Sequence, residues 1–154
     1  MTQSLRIGVA GLGTVGASVV RMIARRADTL AQATGSAIRV TAVSSRDRGR
    51  DRGLDLAGVE WFDDAVALAR SPDVDCVVEL IGGAEGPAKA VVEAALAAGK
   101  HVVTANKALL AHHGAALAQA AEAAGVALAF EASVAGGAHS PAAGAALIAE
   151  LIGL

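Results

Sequence analysis

Three glycines fall at the spacing Gly11-x-Gly13-x-x-Gly16 within "GVAGLGTVG". They follow directly on the apolar run "LRIGVA" at residues 5–10. Behind them Val15, Val19, Met22 and Ile23 recur at helical spacing. A short apolar run, then clustered glycine, then a 3.6-residue period predicts a strand, a tight turn and a helix. Each glycine has its own steric duty in such a unit. Gly11 permits the turn, Gly13 lets the backbone approach a pyrophosphate, and Gly16 lets helix and strand pack closely. The amides at the start of the helix then face the phosphates.

The same alternation continues along the chain. Strands are predicted at "IRVTAV" (38–43), "DCVVEL" (75–80), "HVVTA" (101–105) and "VALAFEA" (126–132). Helices are predicted at "DDAVALAR" (63–70), at "PAKAVVEAALAAG" (87–99), which opens on Pro and stops at Gly, and from Lys107 to about Gly125. Strands that are apolar throughout and spaced by helices imply a parallel sheet covered on both faces. The expected fold class is α/β, a doubly wound parallel sheet of Rossmann type, with its ligand at the carboxyl ends of the strands. Residues 1–132 form this dinucleotide-binding domain in the reading. Residues 133–154 form a Gly/Ala-rich loop and a short C-terminal helix. That helix starts at Ser140 and Pro141 and carries an apolar stripe of Leu147, Ile148, Leu151 and Ile152. The stripe is expected to pack on this domain, on another subunit in a homo-oligomer, or on something missing.

Composition excludes several other classes. Hydrophobic residues make up 54% of the 154, but aromatic residues only 2%. The longest run without Asp, Glu, Lys or Arg, 132–149, is broken by Gly, Ser and Pro and is mostly alanine. It is too weakly apolar for a membrane span. The N-terminus goes straight into a strand without the pattern of a signal peptide. The single Cys76 suits a reducing cytoplasm. The net charge of −2 gives no general attraction for nucleic acid. The one basic run, "RDRGRDRG" at 46–53, has interleaved aspartates and no nearby aromatics for stacking bases.

Two further features bear on chemistry. A domain that takes NAD usually has an acid at the tip of the second strand for the ribose 2′-hydroxyl. Here the strand ends "AVSSRDR", with Ser44, Ser45 and Arg46 at the tip and Arg48, Arg50 and Arg52 behind. Hydroxyls and guanidinium groups suit a 2′-phosphate, which favours NADP, while Asp47 keeps NAD open. The second feature is Lys107. Asn106 is expected to cap a helix whose first residue is this lysine, where a cation opposes the helix dipole at a cost of roughly 0.3–1 kcal/mol. At the carboxyl edge of the sheet it would lie near the nicotinamide half of a dinucleotide. There it could exchange a proton with an alcohol or carbonyl, or hold a ligand oxygen.

"GVAGLGTVG", "VVELIGG" (77–83), "AALAAGKHVVTANKALLAHHG" (94–114) and "FEASVAGG" (130–137) together resemble the N-terminal part of homoserine dehydrogenase. "TANKALLA" beside "EASVAGG" is far more specific than the glycine pattern. The resemblance implies interconversion of L-homoserine and L-aspartate 4-semialdehyde with NAD(P), a step toward threonine, methionine and isoleucine. It implies that Gly11, Gly13, Thr14, Val15 and Gly16 hold the pyrophosphate. Gly82, Gly83 and Thr104 would line the cofactor cleft, and Lys107 would touch the cofactor and border the substrate. It also implies a sodium ion on Glu131 and the main-chain oxygens of Val134, Gly136 and Ala138, a donor set that suits a hard cation.

Other residues read blandly. Cys76 is expected in the core, and His112 and His113 on a solvated helix face. Trp61 and Phe62 are expected to pack at the start of a helix. Glu79 lies near the carboxyl end of an otherwise apolar strand, which leaves a cleft role open but unassigned. Beyond Gly137 the family continues with Ile-Pro-Ile and a large substrate domain, whereas here "AHSPAAGAALIAELIGL" follows. The expectation is that this chain binds NADP and turns over homoserine poorly by itself. The alternative is a non-catalytic NADP-binding or oligomerising module.

Overall fold

The structure is a computed structural model, and it describes residues 4–130. The elements in chain order are β1 (Leu5–Ala10), α1 (Thr14–Arg25), α2 (Ala27–Thr34), β2 (Ile38–Ser44), β3 (Glu60–Phe62), α3 (Ala65–Arg70), β4 (Cys76–Glu79), α4 (Pro87–Ala97), β5 (His101–Thr104), α5 (Lys107–Ala124) and β6 (Leu128–Phe130). The six strands form one sheet in the order β3-β2-β1-β4-β5-β6. Every pairing is parallel. The chain works outward from β1 in one direction and then from β4 in the other. The order therefore reverses between β1 and β4, which opens a crevice at their carboxyl ends.

Side-chain alternation explains why the central strands read as apolar throughout. Ile7 and Val9 of β1, Cys76 and Val78 of β4 and Val103 of β5 join one cluster with Val19, Val20 and Ile23 of α1. Ala10, Val77 and Val102 turn the other way, to Leu68 of α3, Val91, Val92 and Leu96 of α4 and Leu109 and Leu117 of α5. Both faces of the sheet are covered, so the central strands are apolar on both faces up to their carboxyl ends, where Glu79 and Thr104 lie. Cys76 belongs to this core as expected, and burial pushes its thiol up to about 12.

Two elements were not foreseen. The helix α2 is short and buries only Leu30, its other apolar residues being alanines, so its apolar period is faint. Trp61 and Phe62 were expected to pack at a helix start. They belong instead to the edge strand β3, where Val43 pairs with Trp61 and Ser44 with Phe62. Three residues are too few to display a period of two. The helix that follows begins at Ala65 rather than residue 63, because the Asp64 side chain accepts from Val66 N at 2.9 Å and acts as the cap. The remaining expected strands and helices appear within a few residues of their predicted limits. The segment 133–154, including its expected helix from Ser140 and Pro141, lies outside the described residues.

At the amino edge of the sheet, far from the crevice, β1 and β4 are tied by charge. Asp75 Oδ2 accepts from Arg6 N at 2.9 Å and from Arg6 Nε at 3.0 Å. Asp75 Oδ1 accepts from Arg6 Nη2 at 2.7 Å. The hydrogen bond from the Arg6 side chain holds the Asp75 carboxyl below its ordinary value of 3.8, against the opposing effect of burial. A depressed carboxylate contributes stability above the unfolded value, and this is lost as pH falls through the folded value. Asp75→Asn is therefore expected to lower the urea midpoint at neutral pH. The gap to the wild type should close as pH falls below about 4. Urea melts across that pH range check it, and a gap that widens in acid would contradict the assignment.

Candidate functional site

The crevice is built first by steric need. Gly11 has φ +104°, a conformation side chains rarely adopt. Its N–H donates to Ser44 O at 2.9 Å, which pulls the turn against the end of β2. A Cβ on Gly11 would lie 2.8 Å from Leu80 O, and one on Gly16 would lie 1.8 Å from Gly11 O. Gly13 differs from both. It is the N-cap of α1 with ordinary extended backbone, and a Cβ there would meet nothing within 4 Å. The helix has no side-chain cap and no acidic residue in its first turn. The early amides, those of Thr14, Val15 and Gly16, have no intrahelical acceptor. Open space in front of uncapped helix amides fits an anion.

Beside this turn lies a cleft of about 720 Å³. Gly11, Gly13, Ser45, Arg46, Arg50 and Arg52 line its polar side, and Leu80, Ile81, Pro87 and Val91 its apolar side. Asp47 also lines it, but its Oδ1 accepts from Gly49 N at 3.1 Å and closes the loop on itself. Arg52 is the best-held cation. Its Nε donates to Leu12 O at 2.9 Å, and its Nη2 donates to Ser45 Oγ at 3.0 Å. Among the described residues none of the four loop arginines has a carboxylate within ion-pair distance. The basic run has no aromatic residue near it in sequence. In the fold the guanidinium groups of Arg48 and Arg52 lie 5.8 and 5.6 Å from the centre of the Trp61 ring.

A second cluster forms at the carboxyl ends of β4 and β5. Glu79 is fully buried. Its Oε2 accepts from Thr104 Oγ1 at 3.1 Å, and its Oε1 from Asn106 Nδ2 at 3.2 Å and from Gly82 N at 3.3 Å. Asn106 donates again from Nδ2 to Gly83 O at 2.6 Å, while its Oδ1 accepts from Leu109 N at 3.0 Å and caps α5 as expected. Gly82 and Gly83 have φ +88° and +87°, so this loop turns in a way that favours glycine twice over. Lys107 is the first residue of α5 and is exposed. The cluster thus fixes the start of the lysine's helix to the Gly82–Gly83 loop. Thr104 spends its hydroxyl on Glu79 and on accepting from Asn106 N at 3.0 Å.

The structure therefore brings Gly11, Gly13, Ser45 and Arg46 onto one cleft and gathers Gly82, Gly83 and Thr104 around Glu79. For Glu79 the sequence left a cleft role open but unassigned. Its signal was an acid inside an apolar strand, which must find donors when buried. Arg52 was hidden within a repeat whose members look alike. His113 is not simply solvated, since its Nε2 pairs with Glu85 Oε1 across to the loop before α4. The expected sodium donors Glu131, Val134, Gly136 and Ala138 lie outside the described residues. Within the described residues no group of three or more His, Cys, Asp or Glu could hold a metal, and no helix is long and apolar enough to cross a membrane.

A six-stranded parallel sheet in this order, with a glycine turn and an uncapped helix at its switch point, is a dinucleotide-binding domain of Rossmann type. The profile of the family described as "Homoserine dehydrogenase, NAD binding domain" matches residues 11–131, and the chain belongs to that family. The homoserine dehydrogenase of Corynebacterium glutamicum is 50% identical over 134 residues, which are 87% of this chain and 30% of that one. That of Bacillus subtilis is 40% identical over 135 residues, 88% of this chain and 31% of its own. The crystal structure of the Thiobacillus denitrificans homoserine dehydrogenase superposes with a TM-score of 0.79 at 40% identity, over 88% of this chain and 31% of that one. A Synechocystis biliverdin reductase solved with biliverdin and NADP+ superposes at 0.65 with 25% identity, over 82% of this chain and 37% of its own. The chain thus spans about 30% of the length of the curated relatives it matches.

The three glycines separate fold from ligand. Gly16→Ala is expected to cost about 3 kcal/mol of stability, the upper end for forced overpacking. Gly13→Ala should stay within about 0.5 kcal/mol of wild type, as an open surface position allows. Equilibrium urea unfolding of both variants checks this, and equal losses would contradict it.

Proposed function

We propose that this chain binds NADP in the cleft at the switch point and supplies the coenzyme-binding half of a homoserine dehydrogenase. The observation that carries the reading is the open space before Gly13, flanked by loop arginines that have no carboxylate partner among the described residues. In this reading the amides of Gly13, Thr14, Val15 and Gly16, with the turn at Gly11, receive the pyrophosphate. Ser45 and Arg46 stand at the end of the cleft that would take a 2′-phosphate. The apolar wall of Leu80, Ile81, Pro87 and Val91 would cover the rings. The Synechocystis reductase of similar fold was solved with NADP+, which supports the choice of coenzyme.

When bound, the nicotinamide would supply the hydride acceptor for an alcohol such as L-homoserine. The chain's own part is positional. Glu79 and Asn106 hold the start of α5 against the Gly82–Gly83 loop, and this keeps Lys107 beside the coenzyme's reactive end. There the lysine would hold the substrate oxygen or exchange its proton as the alcohol becomes a carbonyl. Thr104 acts through Glu79 rather than by its own contact. Sodium on Glu131 and the carbonyls of Val134, Gly136 and Ala138 belongs to the same proposal.

Hydride transfer needs both reactants held in register. The chain aligns with about 30% of its relatives' length, so turnover of homoserine by these 154 residues alone is expected to be weak or absent. Fluorescence titration with NADPH and NADH, followed by homoserine added to the saturated complex, separates coenzyme capacity from substrate capacity. NADPH is expected to bind more tightly than NADH. Gly13→Ala should weaken NADPH by about tenfold, since a methyl group would stand where the phosphates approach. Absence of coenzyme binding by folded protein would overturn the proposal. Ordinary homoserine-dependent reduction of NADP by the chain alone would overturn the expectation of weak turnover.

A further inference from the structure

Resting on the NADP reading above, we propose that Arg52, not the more exposed Arg46 at the strand tip, is the residue that distinguishes a coenzyme bearing a 2′-phosphate from one without it. The side chain of Arg52 is held from several sides. Its Nε donates to Leu12 O at 2.9 Å, inside the glycine turn. Its Nη1 donates to Arg50 O at 3.0 Å and its Nη2 to Ser45 Oγ at 3.0 Å. Its guanidinium lies 5.6 Å from the centre of the Trp61 ring, and its own carbonyl accepts from Arg21 Nη2 at 3.1 Å. The guanidinium thus spans the gap between the pyrophosphate turn and the tip of β2, where the adenosine ribose of a dinucleotide would lie.

The hydrogen count leaves this group ready for an anion. A guanidinium has five donor hydrogens, and these bonds use three. Ser45 Oγ accepts from Arg52, so its own hydrogen is left to donate elsewhere. Ser45 and Arg52 therefore present a paired set of donors on the cleft wall. Arg46 is exposed and makes no hydrogen bond or ion pair among the described residues. It would have to be ordered by the ligand, whereas Arg52 is already in place, and prior ordering favours discrimination. The acids that line this cleft are engaged locally: Asp47 accepts from Gly49 N in its own loop, Asp63 from Trp61 Nε1 and Asp64 from Val66 N. Asp47 is not presented as the ribose acceptor an NAD site would use.

The test uses calorimetry with 2′,5′-ADP, which carries the 2′-phosphate, and 5′-AMP, which lacks it. Arg52 also braces the glycine turn, so Arg52→Gln is expected to weaken both ligands. The ratio of their affinities isolates discrimination. That ratio should fall by about tenfold in Arg52→Gln and nearly as far in Arg52→Lys, because an ammonium cannot reproduce the fork. In Arg46→Gln it should change by less than about threefold, as for a charge that only attracts through solvent. If Arg52→Gln does not fold, Ser45→Ala breaks the pairing without touching the turn and should lower the ratio by about threefold. A wild-type ratio at or below one fails the NADP reading itself. A wild-type ratio above one that survives Arg52→Gln and Ser45→Ala, or that vanishes in Arg46→Gln, fails only this inference.

Discussion

The close approach of three backbone segments at the switch point governs the rest of the molecule. Helix α1 lies so near the turn before it that a single methyl at Gly16 would overlap Gly11 O, and a methyl at Gly11 would press on Leu80 O. Because these segments touch without side chains between them, the start of α1, the end of β1 and the loop after β4 are one rigid edge. The apolar clusters on both faces of the sheet hold that edge in place. The cleft exists because helix amides end there, with the backbone crowded at Gly11 and Gly16 but open at Gly13. Stability and ligand capacity thus share one turn but fall on different glycines.

The other half of the crevice is organised by a buried acid. Glu79 carries a carboxyl group at the end of a fully buried strand, which costs free energy unless donors surround it. Gly82 N, Thr104 Oγ1 and Asn106 Nδ2 meet that need, and each comes from a different part of the carboxyl edge. The result is a link between the loop after β4, the end of β5 and the cap of α5. The first turn of α5, where Lys107 stands, accordingly gains a fixed base. On the proposed function, this is how the cost of a cation at a helix N-terminus becomes useful.

Much of the architecture was legible in the residues. The apolar strands with helical spacing between them specified a doubly wound sheet, and the comparisons place the chain in the family that "TANKALLA" and "EASVAGG" suggested. The glycine spacing indicated the turn, and Asn106 was readable as a cap. What was not legible was local and weakly patterned. β3 is three residues long, and α2 hides a single buried leucine among alanines and polar residues. At the site, Ser45 and Arg46 were visible because they follow a strand directly. Arg52 was not distinguishable from Arg48 or Arg50, since one-dimensional spacing does not tell which member of a loop folds back on the glycine turn.

By itself, then, the order of residues determined the class of fold, the edge where a ligand belongs and the need for glycine at the first crossover. These follow from short-range sterics and from burial on two faces, both of which are written in neighbouring positions. Tertiary structure alone decided which donors satisfy Glu79 and which arginine is locked beside Ser45. Although Gly82 lies three positions from Glu79 and Ser45 seven from Arg52, other bonds of these two groups join residues 25 to 40 positions apart, such as Glu79 with Thr104 and Leu12 with Arg52. Only the closing of the sheet brings such partners within hydrogen-bonding distance.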